Sequence, residues 1–312
     1  MSIRGVGRFL ARLRPPSPGP FLCRVRAWPK VGARADAFGE RMRHGLAASL
    51  DRLSRALSSP LTEAELDAPG LVFAPHPDDE TLGCGGTILL KRSRGADVGV
   101  AFLTDGSKSH AALVSPEILA DERHLEALEA CRRLGVPERA VTWMGFPDGE
   151  LARHARAAVS RVVELLTERQ PHVVFAPLPV NEHPDHVATG RIVRAALRRA
   201  PLEAPVTLLE YPIWFWHHFP WVSLRDGDPG LLEKTRAARF GLRVLTHLDV
   251  RVDVRAVRRE KRAALAAHKS QMERRNGDPR WWTLGDVSGG ELLSRLLADA
   301  ERFRRIRVGG CG

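Results

Sequence analysis

Between residues 70 and 211 five short apolar runs recur: LVFA (71–74), VGVAFLT (98–104), AVTWM (140–144), HVVFA (172–176) and VTLLEY (206–211). They show little polar alternation, so they read as strands buried on both faces. Between them lie TILLKRSRG (87–95), SPEILADERHLEALEACRRLGV (115–136), ARAAVSRVVELLTER (155–169) and PDHVATGRIVRAALRR (184–199), which read as helices. Ser115 before Pro116 marks a helix start: the serine side chain caps the first turn, and proline lacks only an N–H that has no partner there. Such alternation implies parallel strands with helices on both faces. The expected fold class is therefore α/β: a Rossmann-like, three-layer α/β/α domain with a mostly parallel sheet over residues 70–312. In open sheets of this kind, ligands bind at the carboxyl ends of the strands.

Past residue 212 the pattern blurs. PIWFWHHFPW (212–221) is aromatic and irregular, THLDVRVDV (246–254) reads as a strand, RREKRAALAAHKSQM (258–272) as a helix and ELLSRLLADAERFRRI (291–306) as the closing helix. Residues 1–69 read as a basic extension. Within it Phe38, Met42, Leu46, Leu50, Leu53 and Leu57 repeat every three or four residues, an amphipathic helix expected to pack on the body.

Charge narrows the partners. The net +11 is uneven: residues 1–59 hold twelve Lys/Arg and three Asp/Glu, whereas the rest hold thirty-six and thirty-four. A nearly neutral body offers no phosphate-binding surface, so nucleic acid is not an expected partner. Residues 1–35 contain no acid, and Ile3, Val6, Leu10 and Leu13 fall at helical spacing with Arg4, Arg8 and Arg12 on another face. Peripheral contact with an anionic membrane through this segment competes with a plain solvated leader. No apolar run approaches the ~20 residues of a membrane span, and the start lacks the apolar core of a secretory signal. Four scattered cysteines without a CxxC pair suit a reducing cytoplasm, the expected location.

Two clusters fall at the expected binding edge. PHPDDE (75–80) follows the first strand of the alternation, and NEHPDH (181–186) follows the fourth. A run of like charges is costly to bury unless something of opposite sign is held there. A catalytic zinc site uses three N/O ligands and an open position for water. His76 and Asp79 on one turn can supply two of these ligands and His186 the third. Asp78 is then free to act as base on a water whose pKa zinc lowers toward ~7. His183 sits opposite as an acid or oxyanion donor, with Asp185 orienting it. A favourable helix dipole would explain the three acids alone, but neither His76 nor the second cluster.

These residues resemble the PIG-L/LmbE deacetylases, zinc enzymes acting on N-acetylglucosamine-type substrates. The resemblance rests on APHPDDETLGCGG and HPDH, on FLTDGS (102–107), on Arg123 and Glu126 in an Arg-x-x-Glu, on GFPDGEL (145–151) and on KRAALAAHKSQ (261–271), over roughly residues 70–272. It implies His76, Asp79 and His186 as zinc ligands, Asp78 as general base and His183 as its electrostatic partner. It also implies Arg123 and Asp148 as substrate-binding residues. Some members carry a tyrosine two residues before the first histidine of HPDH; here that residue is Asn181. The implied activity is hydrolysis of an N-acetyl or related N-acyl amide on a small amino-sugar substrate, with a lipid-linked one among the options.

Two alternatives come from other classes. Gly83, Gly85 and Gly86 suggest a dinucleotide-binding oxidoreductase, although GCGG is not GxGxxG and the acids before it repel a pyrophosphate. The indoles of Trp214, Trp216, Trp221, Trp281 and Trp282 suit either a non-catalytic carbohydrate-binding platform or ordinary core packing. Cys84 reads as a small buried thiol rather than a nucleophile.

Overall fold

The computed structural model describes residues 33–180, 183–224 and 229–309. The basic segment before residue 33, Asn181, Cys23 and Cys311 lie outside the described residues.

Among the described residues eight strands build one sheet: β1 (Ser59–Pro60), β2 (Gly70–Ala74), β3 (Val98–Thr104), β4 (Val141–Phe146), β5 (Val173–Pro177), β6 (Val206–Tyr211), β7 (Val250–Asp253) and β8 (Ala300–Val308). They lie in the order β1-β7-β8-β6-β5-β2-β3-β4. The five runs read from the sequence are β2 to β6, and each pairs parallel with its neighbours among them. Side chains alternate between two cores, as the strand period of two dictates. Leu71, Phe73, Val174 and Ala176 face helices α5 (Ala155–Arg169) and α6 (Pro184–Leu197). Val72, Ala74, Val173 and Phe175 face the opposite layer, which includes α3 (Asp79–Ser93) and α4 (Pro116–Arg133). Three α/β/α layers result, with an antiparallel strand spliced in. Two further helices, α1 (Ala33–Leu57) and α2 (Glu63–Asp67), precede these layers, and α7 (Pro229–Ala237) and α8 (Val244–His247) lie in the chain between β6 and β7.

The C-terminal part departs from expectation. Residues 291–306 are not one helix: a short helix ends at Leu296, and Ala300–Val308 forms β8, antiparallel to both β6 and β7. The charges that imitate a helix face are consumed by partners distant in sequence. Glu301 is buried against Lys261, Arg302 reaches Ser54 and Asp51, and Phe303 packs edge-on against Phe175. The helix expected over 258–272 also breaks, into α9 (Arg258–Leu265) and α10 (Lys269–Met272), because His268 turns into the core. The expected boundary at residue 69 is crossed by packing as well. Before it, β1 adds to the sheet edge beside β7.

α3 begins earlier than the sequence suggests, at Asp79, and passes through the three glycines. Its backbone leaves helical geometry at Cys84 (φ −148°, ψ 18°), so two helical pieces meet there. The glycines permit close approach. A Cβ on Gly83 would overlap the ring of Tyr211, and one on Gly86 would lie 2.6 Å from Val254 Cγ1. Gly83→Ala is therefore expected to cost about 1–3 kcal/mol of stability by overpacking. Thermal denaturation checks this, and an unchanged Tm would mean that the Tyr211 ring yields freely. Because Gly83 and Gly86 are closed against side chains, this glycine run forms no pyrophosphate cradle, and the dinucleotide alternative is overturned. Cys84 is fully buried, with its thiol pKa pushed up by desolvation, as an inert packing residue should be.

Candidate active site

The strand order reverses direction between β2 and β5: the chain leaves β2 toward β3 and β4, and leaves β5 toward β6. Such a switch point opens a crevice at the carboxyl ends of the two strands. The loop after β2 carries His76 and Asp78, and Asp79 opens α3; after β5, His183 caps α6, whose first turn carries Asp185 and His186. Asp148 follows β4, and Lys108 and Ser109 follow β3. These loops border one cleft of about 320 Å³.

On its floor, three donors converge. Asp79 Oδ2 lies 3.2 Å from His76 Nδ1 and 3.2 Å from His186 Nε2. All three ligand atoms lie within 4.8 Å of one another. Two imidazole nitrogens and one carboxylate oxygen suit a catalytic zinc ion, and 3.2 Å edges fit neighbouring donors around an ion with ~2.0–2.2 Å bonds. The residues present therefore fit the expected metal. Burial works to raise the Asp79 pKa, but the charge and hydrogen bonds of His186 and His76 outweigh it and hold the carboxyl below its ordinary range. Two further groupings are weaker. His76, His183 and Asp185 share His76 with the first set, and Glu40 and Glu291 of the group Glu40, His44 and Glu291 already pair with Arg43.

Asp78 stands beside the three donors without joining them. It caps α3 with φ at 120°, a conformation that a side chain adopts only under strain of about 1–3 kcal/mol. Two contacts hold it there. Glu80 Oε2 accepts the Asp78 N–H at 3.0 Å, and Arg123 Nη2 donates to Asp78 Oδ2 at 3.1 Å. Burial drives the Asp78 pKa up to about 7 despite the pull of Arg123. Arg123 is itself buried and also donates to the carbonyls of Gly106 and Pro77. Expected as a substrate-binding residue, it borders the cleft but spends its described hydrogen bonds on clamping Asp78 and the loops around it.

The structure redistributes two other assignments. Asp185 was expected to orient His183, yet its carboxylate accepts the N–H groups of Gly149 (2.6 Å) and Leu151 (3.2 Å) and sits 3.3 Å from His76 Nε2. Asp148, expected on the substrate, lies 3.2 Å from the same His76 nitrogen and accepts the Lys108 N–H. Both carboxylates thus orient the far side of the His76 imidazole, opposite the nitrogen that faces Asp79. Burial lowers the His76 pKa, but Asp148, Asp185 and Asp79 outweigh it and raise it well above the ordinary value. His183 Nδ1 accepts the Asp185 backbone N–H at 3.4 Å, which leaves the proton on Nε2. Desolvation, with positive charge from His76 and His186, lowers its pKa to about 4, so it is neutral at neutral pH.

Some participants escaped sequence reasoning. His268 and Glu80 are fully buried, 3.0 Å apart, and fix the turn that carries Asp78. Burial disfavours a charge on His268, but Glu80 outweighs it and raises the pKa. Glu126 accepts the N–H and hydroxyl of Ser270, both at 2.7 Å, tying α10 to α4. The quoted Arg-x-x-Glu and KRAALAAHKSQ motifs signalled these residues without giving them a role. One cleft wall is apolar, built from Leu82, Ile213, Trp214, Leu284, Leu292 and Leu296, and nothing in the pattern announced it. Of the five noted indoles, Trp214 borders the cleft; Trp216, Trp221 and Trp281 are buried, and Trp282 is exposed.

The PIG-L family, described as GlcNAc-PI de-N-acetylase, matches residues 71–197, the segment that holds all of the expected site residues. A 1D-myo-inositol 2-acetamido-2-deoxy-alpha-D-glucopyranoside deacetylase of Nocardia farcinica is 30% identical over 244 residues, 65% of this chain and 80% of that protein. A diacetylchitobiose deacetylase of Thermococcus kodakarensis is 32% identical over 150 residues, 46% of this chain and 53% of that protein. Among solved structures, a conserved protein of Thermus thermophilus superposes with a TM-score of 0.51 at 29% identity, over 76% of this chain and 94% of that one.

Proposed function

This chain belongs to the PIG-L family of GlcNAc-PI de-N-acetylases, and from that premise we propose that it is a zinc-dependent hydrolase removing the N-acetyl, or a related N-acyl, group of a small amino-sugar substrate. One observation carries the reading: His76, Asp79 and His186 converge on the cleft floor while Asp78 stands beside them unengaged by the donor set. His76, Asp79 and His186 would hold the ion. Bound there, zinc supplies Lewis acidity, which polarises an amide carbonyl and makes water nucleophilic near neutral pH.

The chain's own residues do the rest. Asp78 takes the proton of the attacking water as the tetrahedral centre forms, and Arg123 keeps its carboxylate aimed at that point. Neutral His183 offers Nε2–H to the oxygen that gains charge. As the C–N bond breaks, Asp78 returns its proton to the departing nitrogen, leaving a carboxylic acid, which ionises in water, and a free amino sugar. Amides need this leaving-group protonation because an unprotonated amine departs poorly. The apolar wall favours an amino sugar that carries an apolar substituent, a lipid-linked one included.

The test is a panel of N-acetyl amino sugars incubated with zinc-loaded protein, with free amine as the readout. Amine is expected to appear, to vanish after chelation and to return with added zinc. Metal-loaded protein that binds sugars yet releases no amine would favour the carbohydrate-binding alternative instead.

A further inference from the structure

We propose that α1, with the turn at residues 239–242, forms a docking face for an anionic lipid surface. On α1, Met42, Leu46, Leu53 and Leu57 are 40–61% exposed, although they fall on one helix face. The helix meets the body instead through Arg43, Leu50 and Ser54, which are buried. Of the expected stripe Leu50 thus packs on the body, whereas Met42, Leu46, Leu53 and Leu57 do not. The stripe runs for roughly 23 Å along the axis. Phe240 and Leu242, each 53% exposed, extend it: a Cβ on Gly241 between them would lie 2.8 Å from Leu50 Cδ1. Soluble monomers rarely leave so continuous an apolar patch to water.

Charge selects the occupant. Two acids of α1 are already paired: Glu40 with Arg43 one turn along the same helix, and Asp51 with Arg295 and Arg302 of the body. Arg41, Arg52 and Arg55 remain exposed on the outer side, and Arg236 and Arg239 are exposed near the turn. The preceding 32 residues add seven Lys/Arg and no acid. A second copy of the chain would oppose these arginines with their equals, a like-charge cost. An anionic bilayer satisfies both features, with leucines entering the headgroup boundary and arginine heads remaining among the phosphates. The face stands apart from the deacetylase reading, because binding is measured without substrate.

The experiment is flotation of the full chain with vesicles of equimolar phosphatidylcholine and phosphatidylglycerol, against pure phosphatidylcholine. Binding is expected on the anionic vesicles only, weakening with salt. Leu46→Glu with Leu53→Glu should reduce it at least ~10-fold. Replacing Arg41, Arg52 and Arg55 by Gln should reduce it by roughly 5-fold per residue, the equivalent of ~1 kcal/mol each. Because all five side chains are exposed, Tm should stay unchanged and so excludes misfolding. Equal binding to both vesicle types, or none, overturns the proposal. So does undiminished binding of the double glutamate variant, which would assign attachment to residues 1–32. Self-association abolished by the same two substitutions, without vesicle binding, would assign the face to a second copy.

Discussion

Asp78→Asn is expected to lower turnover by about 10²–10⁴-fold while leaving bound metal near one ion per chain. The asparagine is nearly isosteric, and its Oδ1 can still accept from Arg123 Nη2, which now lies 3.1 Å from the carboxylate. His76, Asp79 and His186 do not depend on position 78 for their mutual 3.2 Å spacing. What disappears is the capacity to take a proton from water and return it to the amine. Some stability should be lost too, since a buried guanidinium forfeits its counter-charge. Metal content measured beside kcat separates these effects. Retained metal with near-normal kcat would remove Asp78 from the proton transfers. Loss of metal would instead make it part of the donor set.

The second large effect lies outside the cleft. Glu301→Ala is expected to destabilise the fold by about 3–5 kcal/mol, since it strands a buried lysine charge. Lys261 Nζ donates to Glu301 Oε1 at 2.8 Å and to the carbonyls of Leu82 and Leu296 at 3.0 and 2.9 Å. Glu301 also accepts the N–H groups of Gly86 and Thr87, at 2.7 and 2.8 Å. Those donors lack helical partners because α3 breaks at Cys84, so the carboxylate caps the second helical piece, where the dipole favours an anion. A drop in Tm of roughly 5–8 °C should follow. A Tm lowered by less than about 2 °C would mean that solvent reaches Lys261. Glu301 sits on β8, so a strand read as a helix in the sequence turns out to brace the helix that presents Asp79.

How legible each part was follows from where its cause lies. The parallel strands β2 to β6 were visible because burial on both faces demands uninterrupted apolar residues, a requirement local to each strand. The donor set was visible because His76, Asp79 and His186 lie within short motifs at strand ends. β8 was hidden: Glu301, Arg302 and Phe303 make sense only beside Lys261, Asp51 and Phe175, all distant in sequence. The same applies to Asp148 and Asp185. As single acids near a site they could be assigned to substrate or to His183, and only their 3.2 and 3.3 Å distances to His76 Nε2 decide otherwise. Arg123 carried a motif signal for importance but none for direction. The leucine stripe of α1 misled in a different way, because amphipathicity reveals an apolar face without revealing what covers it.

Anomalous scattering at the zinc edge, from crystals of the full chain grown with zinc, tests the metal centre most directly. One peak is predicted on the cleft floor, within ~2.0–2.2 Å of an imidazole nitrogen of His76, a carboxylate oxygen of Asp79 and an imidazole nitrogen of His186. A peak held by other residues, or none while those three side chains are ordered, would contradict it.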